Sequence, residues 1–152
     1  KIAIKSTYSR TFNMPTLEAM DEEVPTPKVT FNVSAKTTTQ GLREAIEDAS
    51  LVSDHVRIEA NDDKMTMNAS GDIMGANIEF TKGDDVLLEM TAKEASKATF
   101  SLSYLSEIVK ASVPTSEIVM IEFSTDMPIK LDFQQEKDGK LKFFLAPRIE
   151  VE

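Results

Sequence analysis

TTTQGLREAIEDASLVSD, residues 37–54, interrupts a chain that otherwise alternates apolar and polar side chains. Leu42, Ala45, Ile46 and Ala49 fall at i, i+3, i+4 and i+7, with Arg43, Glu44 and Glu47 elsewhere on the wheel, so the spacing predicts an amphipathic helix. Thr38 or Thr39 offers a hydroxyl to cap its start. A second interruption, SLSYLSEIVKASVP at 101–114, has Leu105, Ile108 and Val109 in a similar stripe, Ser103 as a candidate cap and Pro114 to close the far end. At an offset of about 63 residues the two segments align without a gap. Leu42 meets Leu105, Glu44 meets Glu107, Ile46 meets Val109, and farther on VRIE at 56–59 meets VMIE at 119–122. The chain therefore holds a unit of strand, helix and about three strands, written twice. Two copies predict two similar lobes with both helices on one face of antiparallel sheet.

Outside the helices, period two dominates. Strands are expected at about 1–12, 28–35, 55–60, 64–69, 75–81, 86–91, 97–102, 117–123, 128–134 and 140–146. Asn61-Asp62-Asp63, Gly83-Asp84-Asp85 and Lys137-Asp138-Gly139 read as turns, because Asn, Asp and Gly tolerate positive φ. The fold class is α+β: antiparallel sheets carrying two short helices. The stretch MPTLEAMDEEVPTP at 14–27 fits neither copy. Its three prolines supply no ladder donors, and it carries the acids Asp21, Glu22 and Glu23, so it reads as an extended connector. Long connectors of this kind are often functional.

Composition bounds what such a fold can do. With 152 residues, 41% of them hydrophobic, the chain has material for a real core. Its apolar runs are too short to span a membrane, and no secretion signal opens it. Lys1 in place of an initiating methionine points to a processed or trimmed chain. There is no cysteine, which excludes disulfides, thiolate metal sites and cysteine nucleophiles. The balance of 26 acids against 17 bases gives a formal charge of −9, which disfavours non-specific adhesion to nucleic acid but permits a locally basic face.

Catalytic chemistry is hard to find. No glycine-rich phosphate loop occurs. Asp62, Asp63, Asp84 and Asp85 resemble acidic metal clusters, and a metal- or acid-dependent hydrolase would have to be built on them; turn chemistry explains all four without a metal. His55, the single histidine, lacks a neighbouring nucleophile and reads as structural or exposed. Met65 and Met67 alternate as core or sheet-face residues. No enzyme, metal or cofactor is expected. Apolar residues instead occupy unusual places: Leu17, Met20, Val24 and Pro25 in the connector, Met127 and Pro128 before a strand, and Phe144, Leu145, Ala146 and Pro147 near the terminus. Together they would make a shallow greasy surface of the sort that marks a partner site. In the plainer alternative, Phe143 and Leu145 pack inward and Phe144 decorates the back.

SYLSEIVKAS at 103–112, DMPIKLDF at 126–133 and the closing LKFFLAPRIE at 141–150 resemble, in that order and spacing, the sliding clamp of DNA replication, the proliferating cell nuclear antigen. DASLVSD at 48–54 gives the resemblance an archaeal cast. It covers essentially the whole chain but only the second half of a family member. It implies that 1–12 is the last strand of a first domain, 13–27 the interdomain connector and 28–152 the C-terminal clamp domain.

The implied function is a polymerase processivity factor that encircles duplex DNA and docks replication and repair enzymes. The implied partners are DNA polymerase, clamp loader, flap endonuclease and ligase, each bringing a glutamine-and-aromatic peptide motif, with no membrane involved. Their pocket would use Met20, Val24, Pro25, Pro128, Phe144, Leu145, Ala146 and Pro147. Lys36, Arg43 and Lys110 would face DNA weakly, since Glu47 stands where a base is expected and Glu44, Asp48 and Glu107 lie close by. Subunits would join edge to edge into a homo-oligomeric ring through 1–12 and 75–82, with Tyr8, Ala76, Ile78 and Phe80 at the junction. Localisation would be cytoplasmic and nucleoid-associated if archaeal, nuclear if eukaryotic. The alternative is a stand-alone oligomerisation or peptide-binding module that encircles nothing.

Overall fold

The structure, a computed structural model, describes residues 2–17, 25–135 and 139–149. It opens with a separate antiparallel hairpin, β1 (Ile2–Lys5) and β2 (Ser9–Phe12), in which Ile2 faces Phe12 and Ile4 faces Arg10. The alternation through 1–12 reads as one strand, and the structure corrects this. Ser6, Thr7 and Tyr8 turn the chain, with the Ser6 amide donating to the Tyr8 carbonyl at 3.2 Å and the Thr7 amide to Ser6 Oγ at 2.6 Å. A tight turn made of hydroxyl residues leaves no mark on a period-two pattern.

The main body follows as β3 (Val33–Thr38), α1 (Thr39–Ser50), β4 (His55–Ala60), β5 (Lys64–Ser70), β6 (Gly75–Thr81) and β7 (Leu87–Ala92). Then come β8 (Ser96–Ser101), α2 (Leu102–Ser112), β9 (Ile118–Phe123), β10 (Ile129–Gln134) and β11 (Lys140–Leu145). β3 starts later than the expected residue 28. Ahead of it the backbone bonds sideways rather than into a ladder: the Asn32 amide donates to Ser124 Oγ at 2.9 Å, and that hydroxyl donates to the Thr30 carbonyl at 3.1 Å.

Two sheets result, one ordered β11-β10-β9-β3-β7 and one β6-β5-β4-β8. The strand before each helix joins the sheet built by the other copy of the repeat. β3 pairs with β9, Thr38 opposite Ile118 and Val33 opposite Phe123; β8 pairs with β4, Ser101 opposite His55 and Ser96 opposite Ala60. The residue shift that carries Thr38 onto Ser101 also carries His55 onto Ile118, so one pairing is the image of the other under the repeat. All the contacts are antiparallel.

Both helices lie against one core and against each other. Leu42, Ala45, Ile46 and Ala49 of α1 are buried, as are Leu102, Leu105 and Val109 of α2, and they share that core with Val56, Ile58, Met65, Met67, Phe100, Phe123 and Phe133. Thr38 caps α1, accepting from the Gly41 amide at 3.3 Å. α2 differs from expectation. Its N-cap is Ser101 without a side-chain cap bond, and the expected cap Ser103 lies inside the helix, its hydroxyl 2.9 Å from Ser101 Oγ. α2 stops with Val113 as its C-cap, directly before Pro114.

The start of α1 is clamped by its neighbours. The Thr38 amide donates to the Val86 carbonyl at 3.0 Å and the Thr39 amide to the Glu117 carbonyl at 2.9 Å. Val86 also covers Gly41 so closely that a Cβ there would stand 2.5 and 2.9 Å from its two γ-methyls and 2.8 Å from the capping Thr38 Oγ1. Alanine normally stabilises a helix relative to glycine by about 1 kcal/mol. Here the order should reverse, because a β-branched valine has little rotameric escape. Gly41→Ala is expected to lower stability by about 1–3 kcal/mol in urea unfolding, the usual cost of overpacking. Adding Val86→Ala should recover part of that loss, giving a non-additive double-mutant cycle.

Candidate functional site

Away from the core, the paired helices present a charged surface. α1 shows Gln40, Arg43, Glu44, Glu47 and Asp48, and α2 shows Ser103, Tyr104, Glu107 and Lys110. Arg43 Nε lies 2.9 Å from Glu47 Oε1 one turn on, and Gln40 Nε2 donates to Glu44 Oε1 at 2.8 Å. Lys110 is exposed in the last turn of α2, where a cation complements the helix dipole. Lys36, expected beside these bases, is elsewhere. Val33, Ala35 and Thr37 of β3 point to the core that the helices cover, so strand alternation sends Lys36 to the opposite face of the sheet. There its ammonium pairs with Glu89 of β7 at 3.5 Å.

The terminal strand β11 runs along β10 with Leu145 opposite Ile129, Phe144 opposite Lys130 and Phe143 opposite Leu131. Phe143 and Leu145 pack against the core, and Phe143 meets Phe133 edge-on at 6.1 Å and 80°. Leu145 therefore leaves the expected outward surface, for the same alternation that turns Phe144 outward. Phe144 sits half-buried on the face that also carries Lys130, which is paired with Glu122 and lies 5.9 Å from the Phe31 ring. Pro128, half-buried, stands one residue before β10; exposed Ala146 and half-buried Pro147 stand just beyond β11. These residues gather at one end of the β10–β11 edge. Pro25 is exposed, while Met20 and Val24 lie outside the described residues.

After β11 the chain crosses to the other sheet. The Arg148 amide donates to the Thr99 carbonyl of β8 at 2.7 Å, forming an isolated antiparallel bridge. The Arg148 guanidinium lies 2.6 and 3.0 Å from the two ring nitrogens of His55. The single histidine is thus part of the anchor for the tail. The tail thereby flanks β8 as β7 flanks β3, the counterpart of β8 in the other copy.

The expected junction residues also divide. β6 is the edge of its sheet, so one side of its backbone has no strand partner among the described residues. Its side chains Ala76, Ile78 and Phe80 all turn toward the core, and Phe80, opposite Met65, is buried. The exposed side chains between them are Asn77 and Glu79. Tyr8 is exposed in the β1–β2 turn, with the Arg10 guanidinium 4.8 Å from its ring centre.

A family model for the proliferating cell nuclear antigen, C-terminal domain, matches residues 25–148. The chain belongs to this family. It is 35% identical over 150 residues to a DNA polymerase sliding clamp of Thermococcus gammatolerans, covering 99% of this chain and 60% of that protein. DNA polymerase sliding clamp 1 of Pyrobaculum aerophilum is 36% identical over 141 residues, covering 93% and 57%. A crystal structure of PCNA from Thermococcus kodakaraensis superposes with a TM-score of 0.84 at 26% identity, covering 96% of this chain and 59% of that one. The PCNA2–PCNA3 complex of Sulfolobus tokodaii gives a TM-score of 0.83 at 26% identity, with the same two coverages of 96% and 59%.

The chain thus spans about 60% of the length of the clamps it matches. The β1–β2 hairpin precedes the matched C-terminal domain, yet the Thermococcus alignment reaches nearly the whole chain, hairpin included. No helix among the described residues is long and apolar enough to cross a membrane.

The acidic turns serve the backbone. Asn61 Oδ1 accepts from the Asp63 and Lys64 amides at 3.2 and 3.1 Å. Gly83 takes φ +88°, and Asp84 accepts from the Thr81, Val86 and Leu87 amides at 3.0, 2.9 and 2.6 Å. Among the described residues no group of three or more His, Asp or Glu side chains is placed to hold a metal; Asp138 lies outside them. Slight burial pushes the Asp84 carboxyl up, but the Leu87, Thr81 and Val86 amides together outweigh it and hold the pKa below the ordinary aspartate value. Its stabilising contribution is therefore present above the ordinary carboxylate range and is lost as the pH falls through the folded value. Asp84→Asn should lower the urea midpoint at neutral pH, and its gap from the parent should narrow as the pH drops from about 5 to about 3.

Proposed function

We propose that this chain is the C-terminal part of a DNA sliding clamp, a non-catalytic processivity factor that surrounds duplex DNA once assembled. The observation that carries this reading is the strand-exchanged repeat, which sets two helices side by side on one surface and backs them with sheet, in a fold that superposes on PCNA over 96% of the chain. In this reading residues 1–12 close a preceding domain, 13–27 connect, and 28–152 form the second domain. The helical surface lines the hole. Its acids keep phosphate contacts weak, which suits a ring: topology retains it on DNA, and tight contacts would oppose sliding.

Assembly in this reading is head to tail, the open β6 edge of one subunit accepting a strand from the first domain of the next. An unpaired edge with exposed amides and carbonyls is a template for that pairing. The cytoplasm, beside the chromosome, is the compartment that fits archaeal relatives of this kind. Polymerase, clamp loader, flap endonuclease and ligase would bring a glutamine-and-aromatic peptide to the surface formed by Pro25, Pro128, Phe144, Ala146 and Pro147. Burying each apolar side chain contributes roughly 1.5–3 kcal/mol, and ordering the peptide offsets much of it, so affinity near micromolar is expected.

Titration of the chain with such a peptide tests the docking surface. Phe144→Ala combined with Pro147→Ala should weaken binding by about tenfold or more, whereas equal binding by both forms would overturn the assignment. If no glutamine-and-aromatic peptide binds at all, a plain oligomerisation module becomes the better reading. Sedimentation should show concentration-dependent self-association through the β6 edge and the N-terminal hairpin. A clean monomer at all concentrations would count against edge pairing.

A further inference from the structure

The helical surface carries Arg43 and Lys110 against Glu44, Glu47, Asp48 and Glu107. Its two cations are not equivalent. Lys110 is exposed at the end of α2, where the residues one turn before it are Ser106 and Glu107. Arg43 is held by Glu47 at 2.9 Å, in i,i+4 geometry, with both side chains only partly exposed, 38% and 40%. A guanidinium bonded to a carboxylate through Nε has given up part of its donor fork and its net charge. Gln40 occupies Glu44, so Glu44 is not the partner that competes for Arg43.

We infer that Glu47 masks Arg43, so that the helical surface of this chain engages duplex phosphate through Lys110 while Arg43 is withheld. The inference rests on the reading that this surface faces DNA, and it goes further by assigning Glu47 as the residue that sets the strength of the contact. Glu47 is a positioning residue: it acts on DNA only through Arg43. Removing its charge while keeping its shape leaves Arg43 on the same helix turn and frees it to reach a phosphate. Each phosphate neutralised steepens the dependence of log K on log salt by about 0.9, so the effect has a signature that altered helix stability would not produce.

The test uses the 152-residue chain and a labelled linear duplex, with fluorescence anisotropy over a series of low salt concentrations. Glu47→Gln should tighten binding by roughly threefold or more at the lowest salt and steepen the salt slope by about one. The double variant Arg43→Gln, Glu47→Gln should lose that gain. Absence of any gain in Glu47→Gln overturns the inference, and so does a gain that survives in the double variant, which would report only the general loss of a negative charge. Lys110→Ala separates this from the underlying reading. If it weakens binding while Glu47→Gln changes nothing, the masking fails and the DNA-facing assignment stands. If it leaves both forms unchanged, the helical surface does not face DNA and both fall together.

Discussion

The structure depends on an exchange of strands. β3 belongs in sequence to the copy that contains α1, yet it completes the sheet of β9, β10 and β11; β8 belongs to the copy that contains α2, yet it completes the sheet of β4, β5 and β6. Neither copy can satisfy its own edge, and neither helix can bury its stripe on a sheet that its own copy has finished. Each helix starts where an exchanged strand ends, so the two are delivered to the same side of the molecule and pack against each other. Val56, Met65 and Met67 of one copy and Phe100, Phe123 and Phe133 of the other are buried in a single core. Separating the copies would expose this whole cluster, which is why they form one cooperative unit.

The two copies are not treated alike, and the difference supplies the second surface. β3 gains a full flanking strand in β7, whereas among the described residues β8 gains a single bridge there, from Thr99 to Arg148. Lys97 of β8 also meets the turn before β10: the Asp126 amide donates to the Lys97 carbonyl, and the Lys97 amide donates to Thr125 Oγ1. Among the described residues β11 is an edge strand, with Phe144 turned outward beside Lys130 and Ala146 and Pro147 following it. A proline at that corner removes a donor just where further pairing would begin. The segment through Arg148 is thus held at both sheets, and among the described residues no strand pairs with the outer side of β11.

Most of the architecture was legible in the residues. The heptad-like spacing of Leu42, Ala45, Ile46 and Ala49 and the gapless match with Leu105 and Val109 located both helices and their repeat. Alternation located the strands of the main body to within a few residues. Two of the failures share a cause: at 6–7 and 28–32 side-chain hydrogen bonds override pattern. Ser6 and Thr7 fold 1–12 into a hairpin, Ser124 draws 28–32 off the ladder, and Ser101 takes the cap position that Ser103 was expected to fill. Among the site residues, Arg43 and Lys110 lie on the exposed helical surface, and Phe144, Pro128 and Pro147 lie at one end of the β10–β11 edge. Leu145, Phe80 and Lys36 face other ways than expected, each because strand parity assigns a side chain to one face and the pattern alone did not say which face the helices would cover.

What the sequence determined by itself was periodicity: which segments are helix or strand, that they recur, and that turns at 61–63 and 83–85 need Asn, Asp or Gly. Those properties are local, set by backbone geometry and the spacing of apolar groups. What only the tertiary structure decided was pairing and facing: that β3 and β8 change sheets, that Arg43 spends its charge on Glu47, that His55 meets Arg148, and that Lys36 lies behind the sheet from the helices. Those depend on which surfaces close over which. They are settled by long-range burial, and no local spacing in the chain encodes it directly.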